Sequence, residues 1–216
     1  MPIPPPPGPT TDGPIPPPGR AQRLVAGSGF VVYERGRSIF DESVLVYLAR
    51  SGRDIGHFDV VDHVGRPLGA SRPEERLQFF TPRRSTVLID PGGSELLRVV
   101  AERGWMKYVF AVSGVANARF ETASAGLSEL RITSNGERFG GVIGRGIRGL
   151  AATDLAILDH NGIEVGRIRV HRRQIWSPAR DYVVSTKPGR RDELRRLIPA
   201  VPVVLATLRE FRRKRA

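Results

Sequence analysis

Residues 154–170 read DLAILDHNGIEVGRIRV. The apolar run Leu155–Leu158 meets the turn Asp159-His160-Asn161-Gly162, and a second apolar run follows. Asp, Asn and Gly tolerate the positive φ of a tight turn, so the stretch predicts a β-hairpin. In the returning strand, two-residue alternation puts Ile168 and Val170 on one face and Arg167 and Arg169 on the other. With the apolar pair turned to a core, the two arginines face solvent.

The same unit recurs upstream, as FDVVDHVGRPLGA (58–70), STVLIDPGGSELLRVV (85–100) and LRITSNGERFGGVI (130–143). Asp62-x-x-Gly65, Asp90-x-x-Gly93 and Asp159-x-x-Gly162 share one spacing, and Asn135-Gly136 is the two-residue hairpin signal. Further β-rich runs are ESVLVYLAR (42–50), LQFF (77–80), MKYVFAVSG (106–114) and ARFETAS (118–124). About 12 strands at this spacing predict a mainly β sandwich or barrel.

The ending differs. Residues 190–215 read RRDELRRLIPAVPVVLATLREFRRKR, and 197–208 are apolar around the whole circumference with charged flanks. A helix apolar on every face is buried in protein or lipid. Twelve residues reach roughly 18 Å, against the ~30 Å of a bilayer core. Pro199 and Pro202 fit a first helical turn and oppose a longer continuous helix. The expectation is a helix over about 199–212, buried by the protein itself, with a basic tail at 213–216.

At the other end, residues 1–19 hold 10 of the 18 prolines. Such a run prefers extended polyproline II and builds no core. It lacks the basic start and apolar centre of a signal peptide. The reading is a disordered proline-rich leader over 1–23, offering itself as a ligand for a protein module, ahead of a folded domain over 24–212.

The 216-residue chain has a net charge of +12, with 34 Lys+Arg against 22 Asp+Glu, and no cysteine. Disulfides, thiol nucleophiles and thiolate metal sites are therefore excluded. The charge is not evenly spread. Residues 167–216 hold 15 basic and 4 acidic side chains, a net of +11, and residues 1–166 are nearly neutral at +1. All but Lys107, Lys187 and Lys214 of the basic residues are arginine, whose planar fork suits phosphate. Three groups stand out: Arg167, Arg169, Arg172, Arg173 and Arg180; then Arg190, Arg191, Arg195 and Arg196; then Arg212, Arg213, Lys214 and Arg215. A basic cluster seeks anionic partners, and its plain alternative is a solvated charge run. The third group also suits a helix C-terminus.

Repeated hairpins closed by one apolar C-terminal helix resemble the tubby C-terminal-like superfamily, which includes phospholipid scramblases and LURP-one-related proteins. The resemblance is carried by Asp154 to Arg169, with its D-x-x-G turn and V-G-x-I strand, by Trp176, by Asp181–Ser185 and by the apolar helix from Leu194 on. Asp62 to Gly69 repeats the D-x-x-G-x-x-L-G form. It spans about residues 28–212 and implies a closed antiparallel barrel of about 12 strands around a central hydrophobic helix. Removing that helix is then expected to unfold the domain. The scramblase calcium segment is not matched: Asp181 to Glu193 offers only Asp181, Asp192 and Glu193 against Lys187, Arg190 and Arg191. Calcium needs 6–8 oxygens, so calcium dependence does not transfer. The scramblases' palmitoylated cysteines are also missing.

Catalytic candidates are thin. Asp62, Asp90 and Asp159 read as turn residues, and His63 and His160 as turn tips; His57 and His171 lack a metal-motif context. Ser113 in AVSGVA is not a nucleophile elbow. Gly140 to Gly149 lacks the spacing of a phosphate loop and reads as turns and bulges. Trp105 and Trp176 read as core residues, with interfacial anchoring as the alternative. Neither a catalytic residue nor a cofactor nor a metal is expected. The expected function is a non-enzymatic, scramblase-like domain that binds anionic phospholipid headgroups. Its expected place is cytoplasmic and peripheral, on the inner face of the membrane. The candidate phosphate-binding residues are Arg167, Arg169, Arg172, Arg173, Arg190, Arg191, Arg212 and Arg213. The alternative is a nucleic-acid-binding protein using the same arginines.

Overall fold

A computed structural model of the chain describes residues 38–50, 56–76, 83–103, 107–114, 117–123, 128–144, 149–172, 179–187 and 193–213. The leader, both tryptophans, the LQFF run and the start expected near residue 24 lie outside them. Twelve strands run in order: β1 (Val44–Ala49), β2 (Phe58–Val61), β3 (Pro67–Arg76), β4 (Arg83–Ile89), β5 (Glu95–Arg103), β6 (Tyr108–Gly114), β7 (Ala118–Thr122), β8 (Glu129–Ser134), β9 (Glu137–Gly144), β10 (Asp154–Asp159), β11 (Glu164–Arg172) and β12 (Arg180–Thr186). Each pairs antiparallel with the next, and β1 pairs with β12 through Val44↔Ser185 to Tyr47↔Tyr182, so the barrel is closed. Closure leaves no sheet edge to protect.

All four expected hairpins form. In β2–β3, β4–β5 and β10–β11 the turns make the same backbone hydrogen bonds. The Asp N–H bonds the carbonyl four residues on, and the Gly N–H bonds the Asp carbonyl, at 2.9–3.1 Å in the Asp62, Asp90 and Asp159 turns. Gly65, Gly93 and Gly162 sit at φ 91°, 90° and 79°, which only glycine adopts at little cost. In each of these hairpins the register shifts beside the turn, as it does in a three-residue loop ending in a glycine bulge. Asn135 and Gly136, at φ 51° and 86°, make the two-residue β8–β9 turn.

Because strands alternate in direction, these four turns share one end of the barrel, the turn end. The β1–β2, β3–β4, β9–β10 and β11–β12 connections share the other. The lumen is filled from the wall by alternate residues, among them Tyr47, Phe58, Phe110, Phe120, Ile132, Ile168 and Val184. The centre is the C-terminal helical run. Helix α1 (Glu193–Leu197), a 3₁₀ turn (Ile198–Ala200) and helix α2 (Val201–Arg213) follow without a break. Every residue from Val201 to Leu208 is buried, as the all-round apolar pattern requires. Pro199 falls in the 3₁₀ turn and Pro202 in the first turn of α2, where a missing N–H costs nothing. The Tyr47 hydroxyl donates to the Pro199 carbonyl at 2.8 Å, tying wall to plug.

Two boundaries differ from expectation. Helical structure starts at Glu193, ahead of the expected start at 199, and α2 runs through Arg213, into the stretch read as tail. Lys214 and Arg215 lie outside the described residues. Among the described residues no helix is long and apolar enough to cross a membrane.

Candidate functional site

The plug enters the barrel at the turn end, where an Arg195 guanidinium nitrogen donates to the Asp41 carbonyl ahead of β1 at 3.2 Å. It leaves at the opposite end. There α2 presents Ala206, Arg209, Glu210 and Arg213, spaced i, i+3, i+4 and i+7 on one helical face, to a pocket of about 320 Å³. The barrel wall supplies Ala49, Phe58, Val170, Arg172, Arg180 and Tyr182 to the same pocket.

Strand parity explains why two wall arginines arrive there. Along β11, Ile168 and Val170 face the core, so Arg172, two residues on, keeps the inward direction and reaches over the rim. Along β12, Tyr182 and Val184 face the core, so Arg180 does the same. The two are direct cross-strand partners, Arg172↔Arg180. Like charges placed opposite each other are destabilising unless something screens them.

The third arginine comes from the plug. Arg209 lies 5.7 Å from the Tyr182 ring centroid and donates to the Leu150 and Ala152 carbonyls at 3.2 and 2.9 Å. Its Nε is buried without a hydrogen-bond partner. Burial, then the charges of Arg172 and Arg209, hold the Arg180 pKa below the ordinary guanidinium value. Arginine stays protonated at any working pH, so the site is a fixed concentration of positive charge. Burial also pushes the Tyr182 phenol up, against the pull of Arg209 and Arg180. Glu210 is the only carboxylate lining the pocket among the described residues, and it is ion-paired with Arg84 of β4. Below the cationic rim the floor is apolar: Ala49, Phe58, Val170, Tyr182 and Ala206 are all buried.

The sequence candidates divide between faces. Arg172 and Arg213 line the mouth. Arg167 and Arg169 stand on the outer wall, as alternation requires; Arg169 is exposed, and Arg167 is engaged by Glu164 at 3.2 Å and Asp154 at 3.8 Å. Arg212 is exposed on α2. Arg195 and Arg196 sit at the turn end, at the opposite mouth. Arg173, Arg190 and Arg191 lie outside the described residues. The site also takes Arg209, absent from the candidates, and Arg180, grouped with them but not chosen. Parity carried past the end of β11, and the i, i+4 pair Arg209/Arg213, were the available signals.

The other sequence candidates lie away from this mouth. Asp62 and Asp159 are buried and accept backbone N–H bonds from their own turns. His63 and His160 are exposed at turn tips, and Ser113 is exposed on β6. Gly140 and Gly144 are strand residues of β9 rather than turn residues. A Cβ on Gly140 would run into the Leu158 carbonyl oxygen, and one on Gly144 into that of Gly149. Glycine is required there by close backbone approach. Among the described residues no group of three or more carboxylates and histidines is gathered that could hold a metal ion.

No family model, no curated protein and no solved structure matches this chain.

Proposed function

We propose that this is a non-enzymatic, scramblase-like domain of the tubby C-terminal-like type that binds anionic phospholipid headgroups at a membrane surface. One observation carries the reading. Arg172, Arg180, Arg209 and Arg213 converge on one barrel mouth, and Glu210, the one carboxylate that lines it among the described residues, is already ion-paired with Arg84. Such a rim attracts phosphate, and planar guanidinium forks suit its oxygens. The closed barrel around an apolar helix agrees with the resemblance read from the hairpin and helix motifs. The expected place is the cytoplasmic face of a membrane, held peripherally. Each basic residue near an anionic surface contributes about 1 kcal/mol.

Flotation of the full chain with vesicles tests this. Binding is expected to vesicles containing acidic phospholipid, to be absent with purely zwitterionic ones, and to fall when Arg172 and Arg180 are both changed to Gln. Equal partition into neutral vesicles would sink the reading. The same arginines would attract nucleic-acid phosphates, but a pocket of this size encloses one small anion rather than tracking a polyanion. Duplex DNA binding that survives near-physiological salt, without vesicle binding, would move the assignment to nucleic acid.

A further inference from the structure

The mouth is not only basic. A surface that reads headgroups from outside needs cations alone, yet here the rim stands over a floor of Ala49, Phe58, Val170, Tyr182 and Ala206, and every one of these side chains is buried. The floor is deeper than the charges: Arg172 and Arg213 are exposed, Arg180 and Arg209 half-buried. The volume, about 320 Å³, is at the lower end of small-ligand sites. It is more than a phosphate needs and less than a two-chain lipid occupies.

We infer that the mouth holds a single amphiphilic phosphate monoester by both ends. The phosphate lies across Arg172, Arg180 and Arg209, with the buried Arg209 Nε as a donor in waiting. The first carbons of an alkyl arm lie against Phe58, Val170 and Ala206. This rests on the reading of the mouth as an anion site and names what fills it. The phosphate can come from a lipid in a bilayer or from a dispersed monomer, and the test separates the two.

The full chain is titrated calorimetrically with methyl, butyl and hexyl phosphate at fixed ionic strength, beside flotation on acidic vesicles. Affinity is expected to rise about fourfold for each methylene the floor covers, then to level off. Thr153→Trp, at the exposed edge of the pocket, and Ala206→Leu, on its floor, are expected to bring hexyl phosphate down to the methyl phosphate level while methyl phosphate still binds. The Thr153 change leaves the plug untouched, so a folding failure of the Ala206 variant does not spoil the test. Equal affinity for methyl and hexyl phosphate would overturn the inference, as would an unchanged hexyl preference in both variants. A chain-length series without vesicle binding supports the inference, assigns the monomer as source and removes the membrane reading. Vesicle binding with a flat series removes the inference and leaves the headgroup reading.

Discussion

The Asp62 carboxylate shows how one side chain builds a corner of this barrel. It is fully buried, and one oxygen accepts the backbone N–H groups of Val64 and Arg66 at 2.9 Å each, while the other meets the Arg66 guanidinium at 2.7 Å. Burial works to raise its pKa; the Arg66 N–H, the Arg66 guanidinium and the Val64 N–H outweigh it and hold the value below the usual carboxylate range. A depressed folded pKa means that the contribution is complete above the unfolded value of about 3.9. It is lost as pH falls through the folded value. Asp62→Ala leaves two turn amides without their acceptor and is expected to cost roughly 1–3 kcal/mol at pH 7. Denaturant midpoints of variant and parent should converge below about pH 4; a gap constant across pH would show that charge plays no part. This residue was legible as a turn former from its D-x-x-G spacing. Its burial was not, since composition places aspartate at surfaces and only the turn's inward fold covers it.

At the scale of elements, the hairpins and plug were legible because each obeys one periodicity. β11 alternates strictly, and α2 has no polar side before Arg209. β1 is harder to read: its apolar run is continuous, because Val46 and Leu48 form a second buried cluster with Val61 and Val183 while Leu45 and Tyr47 face the lumen. The site was half legible. Sequence proximity grouped Arg167, Arg169, Arg172 and Arg180, but strand parity separates the first two from the last two; the i, i+4 spacing ties Arg209 to Arg213, and only the closed fold sets that pair beside the wall arginines. The Arg172↔Arg180 pair has a measurable consequence. With no anion present, Arg172→Gln is expected to stabilise the fold by about 0.2–1 kcal/mol at low salt, by removing a like-charge cross-strand pair. Added phosphate should raise the melting temperature of the parent and close that gap. If the variant melts lower than the parent in the absence of anion, Arg172 is already neutralised and the mouth is not poised for a ligand.

The molecule as a whole has two unlike ends, and the proposed membrane binding must use one of them. The turn end carries Arg195 and Arg196 and two exposed apolar side chains, Val64 inside one D-x-x-G turn and Ile163 just after another, 43% and 58% exposed. The opposite end carries the arginine rim and the C-terminus of α2, whose dipole itself favours cations there. Two scattered aliphatic side chains are ordinary surface and do not make an insertion patch. Several converging cations next to an anionic leaflet do gain, each by about 1 kcal/mol. The rim should therefore face the bilayer and the turns should face away. The chain contains no cysteine, so single probes can be placed cleanly. A fluorophore on Thr153→Cys, beside the pocket, is expected to be quenched by headgroup-labelled acidic vesicles, while one on Ile163→Cys keeps its solution emission. Raising salt should release the quenching, because exposed charges separated by more than a Debye length of about 8 Å at 0.15 M are screened. Quenching at Ile163 instead, insensitive to salt, would mean that the barrel docks by its apolar turn tips, and the arginine mouth would then point into solution, open to a dispersed ligand rather than to a bilayer.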